Sequence, residues 1–487
     1  LEGLGELPNR PPAGRGQVTL GVVDRAREDV QVVVQPVELV AGHDQFVLAQ
    51  LEFGSSLPMN PVPLTTSLRT EPPRASRPGA VGEHAPAPSA PRAVSFSPTP
   101  LTSVTFRHDG IVGSWGATEA DAGRCARSGT LSAVSALPEP PECAFASDNA
   151  APAHPTVIEA IISANEGHAL AYGQDAHTAE CGDRFRDLFG SDVITRLTFN
   201  GTGANVAALA TMLGNLRGPH HAIVCTNWSH IEADETGAPE RVLGTKLIDL
   251  PSPTAKVTPE QLAELSHLQG VPHHVQPGIV SITQSTELGT VYTADEIGVL
   301  AEQAHRMGML VHLDGARIAN ATAALGGTVA ALRSFTIDAG VDVVSFGGTK
   351  NGLLGAEAII FLDPETATGS EYVRKQVTQL PSKMRFLAAQ FNAVLDGNLW
   401  IDLAAHSNAM ALELHRLVGD ISGIEVGDKP EVNSLFPTLP TETIEPLRDW
   451  CFFWDWDSAR RQVRWMTSWD TTTADVERFA AGVRALV

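Results

Sequence analysis

Lys350 lies in a glycine-rich turn between two apolar runs, in the stretch VDVVSFGGTKNGLLGAEAII (341–360), and is one of only six lysines in the chain. Ordinary lysines occupy polar, solvated faces. On a short turn after a buried strand the amine is partly desolvated, which favours its neutral, nucleophilic form. A neutral lysine condenses with an aldehyde to form a Schiff base. Two other stretches carry complementary chemistry. VHLDGARIANA ends a strand on Asp314, with Arg317 three residues on. Asp314 can cap the following helix, or salt-bridge a ring nitrogen and hold it protonated. TFNGTGANVAALA runs a strand into Gly201, Thr202 and Gly203 and then into a helix. Alone, that stretch reads either as a β-to-α turn or as a phosphate cradle of N–H groups at a helix amino terminus.

Each signal is ambiguous by itself. In the order cradle, aspartate, lysine, the three fit pyridoxal 5′-phosphate, which needs a phosphate site, an acidic partner for its ring nitrogen and a lysine for its aldehyde.

The elements that must position these residues alternate. VITRLTF (193–199), HAIVCT (221–226), GIVSITQ (278–284), MLVHLD (309–314) and VDVVSF (341–346) read as strands, each ending where polar or glycine residues begin. TADEIGVLAEQAHRMG (293–308) has helical periodicity, and APAHPTVIEAIISANEGHA opens a helix near Pro155. Strands alternating with helices predict an α/β fold with a mostly parallel sheet covered on both faces. A long helical stretch (383–418) follows. Then strands at CFFWDW (451–456) and RQVRWMTSW (461–469) and a last helix, TADVERFAAGVRAL, predict a small α+β carboxy-terminal domain.

With 487 residues the chain is long enough for two or three domains, and 43% hydrophobic and 18% charged residues mark a globular protein. A formal charge of -22 argues against nucleic acid or an anionic membrane as partner. Five widely spaced cysteines (Cys125, Cys143, Cys181, Cys225, Cys451) without a C-x-x-C pair read as reduced thiols in a cytoplasmic protein, with no metal site. No run of about 18 apolar residues suggests a membrane span, and no secretory signal is evident.

Residues 1–142 differ in character. They hold arginine but no lysine, and stretches such as HAPAPSAPRAVSFSPTP favour extended or disordered chain. One strand is suggested at DVQVVVQPVELV (29–40). The expectation is a disordered or non-native extension, with a linker or regulatory tail as alternatives. A large cofactor-binding domain with an amino-terminal arm is expected over 143–395 and the small domain over 396–487.

FASDNAAPAHP, AYGQDAHT, FNGTGANVAAL, SHIEADETGAPE, TQSTELGTVY, HLDGARIANA and SFGGTKNG together resemble the threonine aldolase / beta-eliminating lyase family of fold-type I pyridoxal-phosphate enzymes. Within it the likeness is to the bacterial low-specificity L-threonine aldolases, over about 143–487. The resemblance implies roles residue by residue. Lys350 matches the Schiff-base lysine, Asp314 the ring-nitrogen partner and Arg317 an arginine at the ring hydroxyl oxygen. Asn200, Gly201 and Thr202 match the phosphate loop, and His230 the histidine stacked on the ring. His274 matches a second active-site histidine near the substrate hydroxyl. Ser147 and Arg464 match the groups that grip the substrate carboxylate, a task suited to a planar guanidinium. Tyr172 matches a tyrosine supplied across a subunit interface, implying a homodimer or homotetramer. Lys383 and Arg385 match a basic stretch near the cofactor phosphate. Glu235 reads as a helix-surface charge or a support to the site.

The implied reaction is retro-aldol cleavage of L-threonine or L-allo-threonine to glycine and an aldehyde, with His230, His274 or a water they hold as base. A β-eliminating lyase or a phenylserine aldolase is the near alternative, and a non-catalytic scaffold on the same fold the distant one.

Overall fold

The computed structural model describes residues 137–487, apart from 217 and 219. The extension expected over 1–142, as far as residue 136, and the strand suggested at 29–40 lie outside the described residues.

Seven strands form one sheet: β1 (Ile194–Thr198), β2 (His221–Thr226), β3 (Leu247–Leu250), β4 (Gln276–Thr283), β5 (Leu310–Gly315), β6 (Val343–Gly347) and β7 (Glu357–Phe361). Their spatial order is β1-β7-β6-β5-β4-β2-β3. β7 runs antiparallel to both of its neighbours, so β1 and β6 point the same way and every strand but β7 is parallel. This is the mostly parallel sheet that the alternating pattern predicts.

Adjacent strand residues point to opposite faces, and each face has its own core. Val224, Val280, Ile282, Val311, Leu313, Val344 and Phe346 pack on one side, among helices Ala176–Phe189, Ala294–Arg306 and Arg385–Leu395. Ile223, Cys225, Ile279, Val343, Ile359 and Phe361 pack on the other, against Ala204, Ala207, Ala208 and Met212 of helix Gly201–Asn215. Alanines on that helix let it lie close to the sheet, which fixes its amino terminus beside the end of β1.

The stretch 383–418 is not one helix. It divides into Arg385–Leu395 and Leu399–Val418, because Gly397 (φ 62°) and Asn398 (φ 68°) take the left-handed conformation that stops a helix. A second sheet, in the order β8-β10-β9, contains β8 (Ser434–Leu435), β9 (Trp454–Asp457) and β10 (Gln462–Met466), all antiparallel. The strand expected from Cys451 thus begins only at Trp454. Helices Thr441–Trp450 and Thr473–Leu486 accompany this sheet, and Leu414, Leu435, Phe453, Trp465 and Phe479 form a third core there. Phe145 belongs to that core, stacked on Phe479 at 4.2 Å between ring centroids. Its carbonyl accepts the Met466 N–H at 2.9 Å. The arm therefore packs with the small sheet and carries Ser147 and Asp148 to the junction of the two sheets. Among the described residues no helix is long and apolar enough to cross a membrane.

Candidate active site

Because β1, β2, β4, β5 and β6 share a direction, their carboxyl ends share a rim, the place where open α/β sheets bind ligands. Gly201, Thr202, Asn205, His230, Glu235, Thr283, Glu287, Asp314, Arg317 and Lys350 line one cavity there. These residues come from segments following all five strands.

Backbone crowding explains the glycines before Lys350. A Cβ on Gly347 would lie 2.6 Å from the Ala316 carbonyl oxygen, and one on Gly348 would lie 2.6 Å from that of Ala356. The turn tightens through Thr349–Asn351, and Gly352 leaves it at φ 88°. The Gly348 N–H donates to Glu357 Oε2 at 2.8 Å, and Asn351 Nδ2 to the Trp400 carbonyl at 2.7 Å. Lys350 is thus presented on a fastened turn. Burial lowers its pKa, and the positive Arg317 adds to the effect against the opposing pull of Asp148 and Asp314. Neutral amine is favoured.

At the cradle, Asn200 caps the helix, its side-chain oxygen accepting the Gly203 N–H at 2.7 Å. A side chain at Gly201 would meet nothing within 4 Å, so the approach to the helix amino terminus is open. Gly203 is glycine for another reason: a Cβ there would run into the Gln379 carboxamide, whose oxygen accepts the Phe199 N–H at 3.0 Å.

Asp314 is buried at the end of β5 and does not simply cap a helix. Oδ1 accepts the Ala316 N–H at 3.0 Å, and Oδ2 accepts Asn205 Nδ2 at 2.8 Å. Asn205 also donates to Glu235 Oε1 at 3.1 Å, and that oxygen lies 3.5 Å from His230 Nδ1. One polar chain therefore joins Asp314 to the His230 ring. The contact with Glu235 raises the His230 pKa, against the effect of burial. Glu235 is a buried support, not a surface charge. Glu287, after β4, accepts the His230 backbone N–H at 2.9 Å and the Thr283 hydroxyl at 2.8 Å, both on Oε1. Burial, helped by the charge on Asp314, pushes its carboxyl up to about 7.

Arg317 is held by a fork: Nε donates to Asp148 Oδ2 at 2.7 Å and Nη2 to Oδ1 at 2.9 Å. Asn433 Nδ2, just before β8, adds a bond to Asp148 at 3.2 Å. Burial works against the Asp148 charge, but the Arg317 guanidinium holds its carboxyl below the usual carboxylate range. Arg464, on β10, donates Nη2 to the Ala146 carbonyl at 3.3 Å and packs over Trp456 at 5.4 Å. Its Nε is buried without a partner among the described residues. Burial, with Arg317 nearby, brings its pKa down to about 10, which leaves it charged at neutral pH. Ser147 is next to Ala146, and its Oγ accepts the Asn149 N–H at 3.2 Å. Asp148, Asn205, Glu287 and Asn433 carry no individual role in the sequence reading; their only signals there are a polar residue amid alanines (Asn205) and an acid beside Ser147 (Asp148).

Ser147 and Arg464 flank this cavity beside Asp148 and Arg317 without lining it, and four other expected site residues lie away from it within one chain. His274 precedes β4, in a turn where its N–H donates to the Val271 carbonyl at 3.1 Å. The nine residues from there to Thr283 span roughly 25–30 Å of mostly extended chain, so His274 stands at the opposite rim. Within one chain His274 is therefore away from this cavity. Tyr172 is 51% exposed, with its N–H on the Ser382 carbonyl at 2.9 Å and the Lys375 ammonium 5.3 Å over its ring. Lys383 and Arg385 line a separate surface hollow with residues 167–171, and Arg385 Nη1 donates to the Gly167 carbonyl at 3.1 Å.

The residues present fit pyridoxal phosphate. An amine on a fastened turn, an open helix amino terminus and a buried carboxylate share one cavity, beside an arginine with an uncommitted Nε–H.

Comparison with known proteins agrees. Residues 144–439 match the family model described as beta-eliminating lyase. The chain is 40% identical over 346 residues to a low specificity L-threonine aldolase of Pseudomonas sp. (strain NCIMB 10558), covering 70% of this chain and 97% of that protein. A protein described in the same words from Pseudomonas aeruginosa is 39% identical with the same coverage. Among solved structures, the threonine aldolase of Leishmania major superposes with a TM-score of 0.65 at 28% identity, covering 70% of this chain and 98% of that one. Likeness over nearly the whole length of such relatives, on a rim of this chemistry, shows that the chain belongs to the beta-eliminating lyase family of pyridoxal-phosphate enzymes, among the threonine aldolases.

Proposed function

We propose that this chain cleaves β-hydroxy-α-amino acids such as L-threonine and L-allo-threonine to glycine and an aldehyde, with pyridoxal 5′-phosphate as cofactor. The observation that carries the reading is the convergence of Lys350, Asp314 and the open start of helix Gly201–Asn215 on one rim. The cofactor, when bound, supplies an electron sink for the bond that breaks.

Each residue then has a physical task. Lys350 anchors the cofactor aldehyde, which needs the neutral amine that burial favours. Asp314 holds the ring nitrogen protonated, since an adjacent anion stabilises a cation. Asn200 shapes the cradle, and the N–H groups of Gly201 and Thr202 receive the phosphate. Arg317, fixed by Asp148, retains Nη1 for the ring hydroxyl oxygen. His230 stacks on the ring, oriented by Glu235.

Arg464 and Ser147 hold the substrate carboxylate. That grip selects which bond at Cα stands perpendicular to the ring, and only a bond so aligned delivers its electrons there. A base on this rim takes the β-hydroxyl proton. Of the two histidines the resemblance implies, His230 is the one on its own chain's rim.

Tyr172, Lys383 and Arg385 cluster away from their own chain's cavity, which supports a homodimer or homotetramer in which a second copy brings them to the site. We assign 143–395 to the cofactor-binding domain and 396–487 to the small domain, and place the enzyme in the cytoplasm.

The test is incubation of the cofactor-loaded protein with L-threonine, L-allo-threonine, D-threonine and L-serine, assaying glycine and aldehyde. Glycine and acetaldehyde in equal amounts from both L-threonine isomers are expected. A 2-oxo acid from threonine would instead indicate β-elimination, and aldehyde from none of the substrates would defeat the reading.

A further inference from the structure

Glu287 stands on the same rim, and the tasks above leave its carboxyl unused. Oε1 is fixed by the His230 N–H and the Thr283 hydroxyl, whereas Oε2 is buried without a hydrogen bond from another of the described residues. A bare buried carboxyl oxygen is costly to keep and calls for an explanation. The other acids of the cavity are otherwise engaged. Both Asp314 oxygens are taken by Ala316 and Asn205. Glu235 also has a bare oxygen, but its other oxygen faces the His230 ring, so it acts through that histidine.

The groups facing Glu287 come from every strand end around it. They are Thr283 at the end of β4, His230 and Glu235 after β2, Asp314 at the end of β5 with Arg317 after it, and Lys350 after β6, with the buried Cys225 and Tyr292 also within its electrostatic reach. Burial and the Asp314 charge disfavour its ionised form, and its own backbone N–H, the Thr283 hydroxyl and the His230 N–H partly restore it. The balance sets the carboxyl at about 7, where a group can both take and release a proton.

We propose that Glu287, not His230, is the general base of the cleavage, its Oε2 taking the proton of the substrate β-hydroxyl. The assignment rests on the proposed retro-aldol function. As the O–H bond breaks, the proton passes to Oε2 and the oxygen's electron pair forms the aldehyde C=O bond. The Cα–Cβ pair stays with the glycine half, which gains one proton at Cα. One proton is lost and one gained, so no oxidant or further reactant is needed. Through Oε1 the same carboxylate also fixes the backbone of His230.

The experiment uses the cofactor-loaded full chain and the variants E287Q and T283V. Glutamine keeps the shape and an oxygen acceptor for His230 and Thr283 but cannot serve as a base. E287Q is expected to take up cofactor normally and to lose about 10²–10⁴-fold in kcat on L-threonine. The rise of kcat/KM through pH about 7 should disappear with it. T283V removes a bond that favours the ionised form, so it should move that rise to higher pH without abolishing it. Independently of turnover, infrared difference spectra of the cofactor-free protein should show a carboxyl band titrating near pH 7 that E287Q lacks. Cleavage by E287Q within about threefold of wild type, or an unmoved pH rise in T283V, overturns the assignment. If E287Q fails to take up cofactor, the T283V profile and the infrared band decide. A wild-type protein that yields no aldehyde would defeat the proposed function itself, whereas an active wild type with an equally active E287Q defeats only the role of Glu287.

Discussion

Replacing Asp148 with alanine should strand a buried cation. Arg317 makes two charge-assisted bonds to Asp148, at 2.7 and 2.9 Å, and the two side chains are 14% and 1% exposed. Removing one partner of a buried pair costs about 3–5 kcal/mol, because the other charge stays desolvated. Arg317 keeps a little solvent contact and water can enter the vacated space, so D148A should lose ~3 kcal/mol, the low end of that range. Urea unfolding of D148A, R317M and the double variant, at matched cofactor saturation, measures this. The double variant should be more stable than the sum of the single losses by roughly 2–3 kcal/mol, since it leaves no unpaired charge. The sign with pH is fixed as well. Because the folded pKa of Asp148 is depressed, its contribution is present above the unfolded value of 3.8 and is lost as pH falls through the folded value. The gap between wild type and D148A should therefore hold from neutral pH down to about 5 and close below it. A D148A protein within about 0.5 kcal/mol of wild type, or strictly additive losses, would refute the reasoning.

Three further outcomes follow from the geometry. G203A should cost about 1–3 kcal/mol by overpacking against Gln379, and a second change, Q379A, should recover much of it; G201A, opening onto free space, should cost far less. E235Q should lower the His230 pKa, because the Glu235 contact is the main cause of its elevation, and an NMR titration of the ring that stays unchanged would contradict the network. H274A should leave kcat on L-threonine within about twofold of wild type, since a surface change on the opposite rim removes nothing from the cavity.

The strand ends were legible in the sequence because each apolar run stops at the residue that faces the rim. The placing of Lys350, Asp314 and Gly201 at strand ends thus follows from the sequence alone. What tethers them was not legible, because it depends on contacts between distant segments. Asp148 and Arg317 are 169 residues apart, and Asn433 reaches the same carboxylate from the second sheet. Glu287 reads as an ordinary loop charge until the loop packs and covers it, and Gly203 as part of the cradle until Gln379 is seen beside it. Two features of the chain do carry a signal in the sequence. Asp396-Gly397-Asn398 is a turn signal inside the helical stretch 383–418. His274 precedes a parallel strand, and the start of such a strand lies on the rim away from its own chain's ligand site.

The most direct test of the account is to load the protein with pyridoxal 5′-phosphate, reduce it with borohydride and map the labelled peptide by mass spectrometry. The account predicts one label, on Lys350, and none in K350A. A label on any of the other five lysines, or a protein that takes up no cofactor, would contradict it.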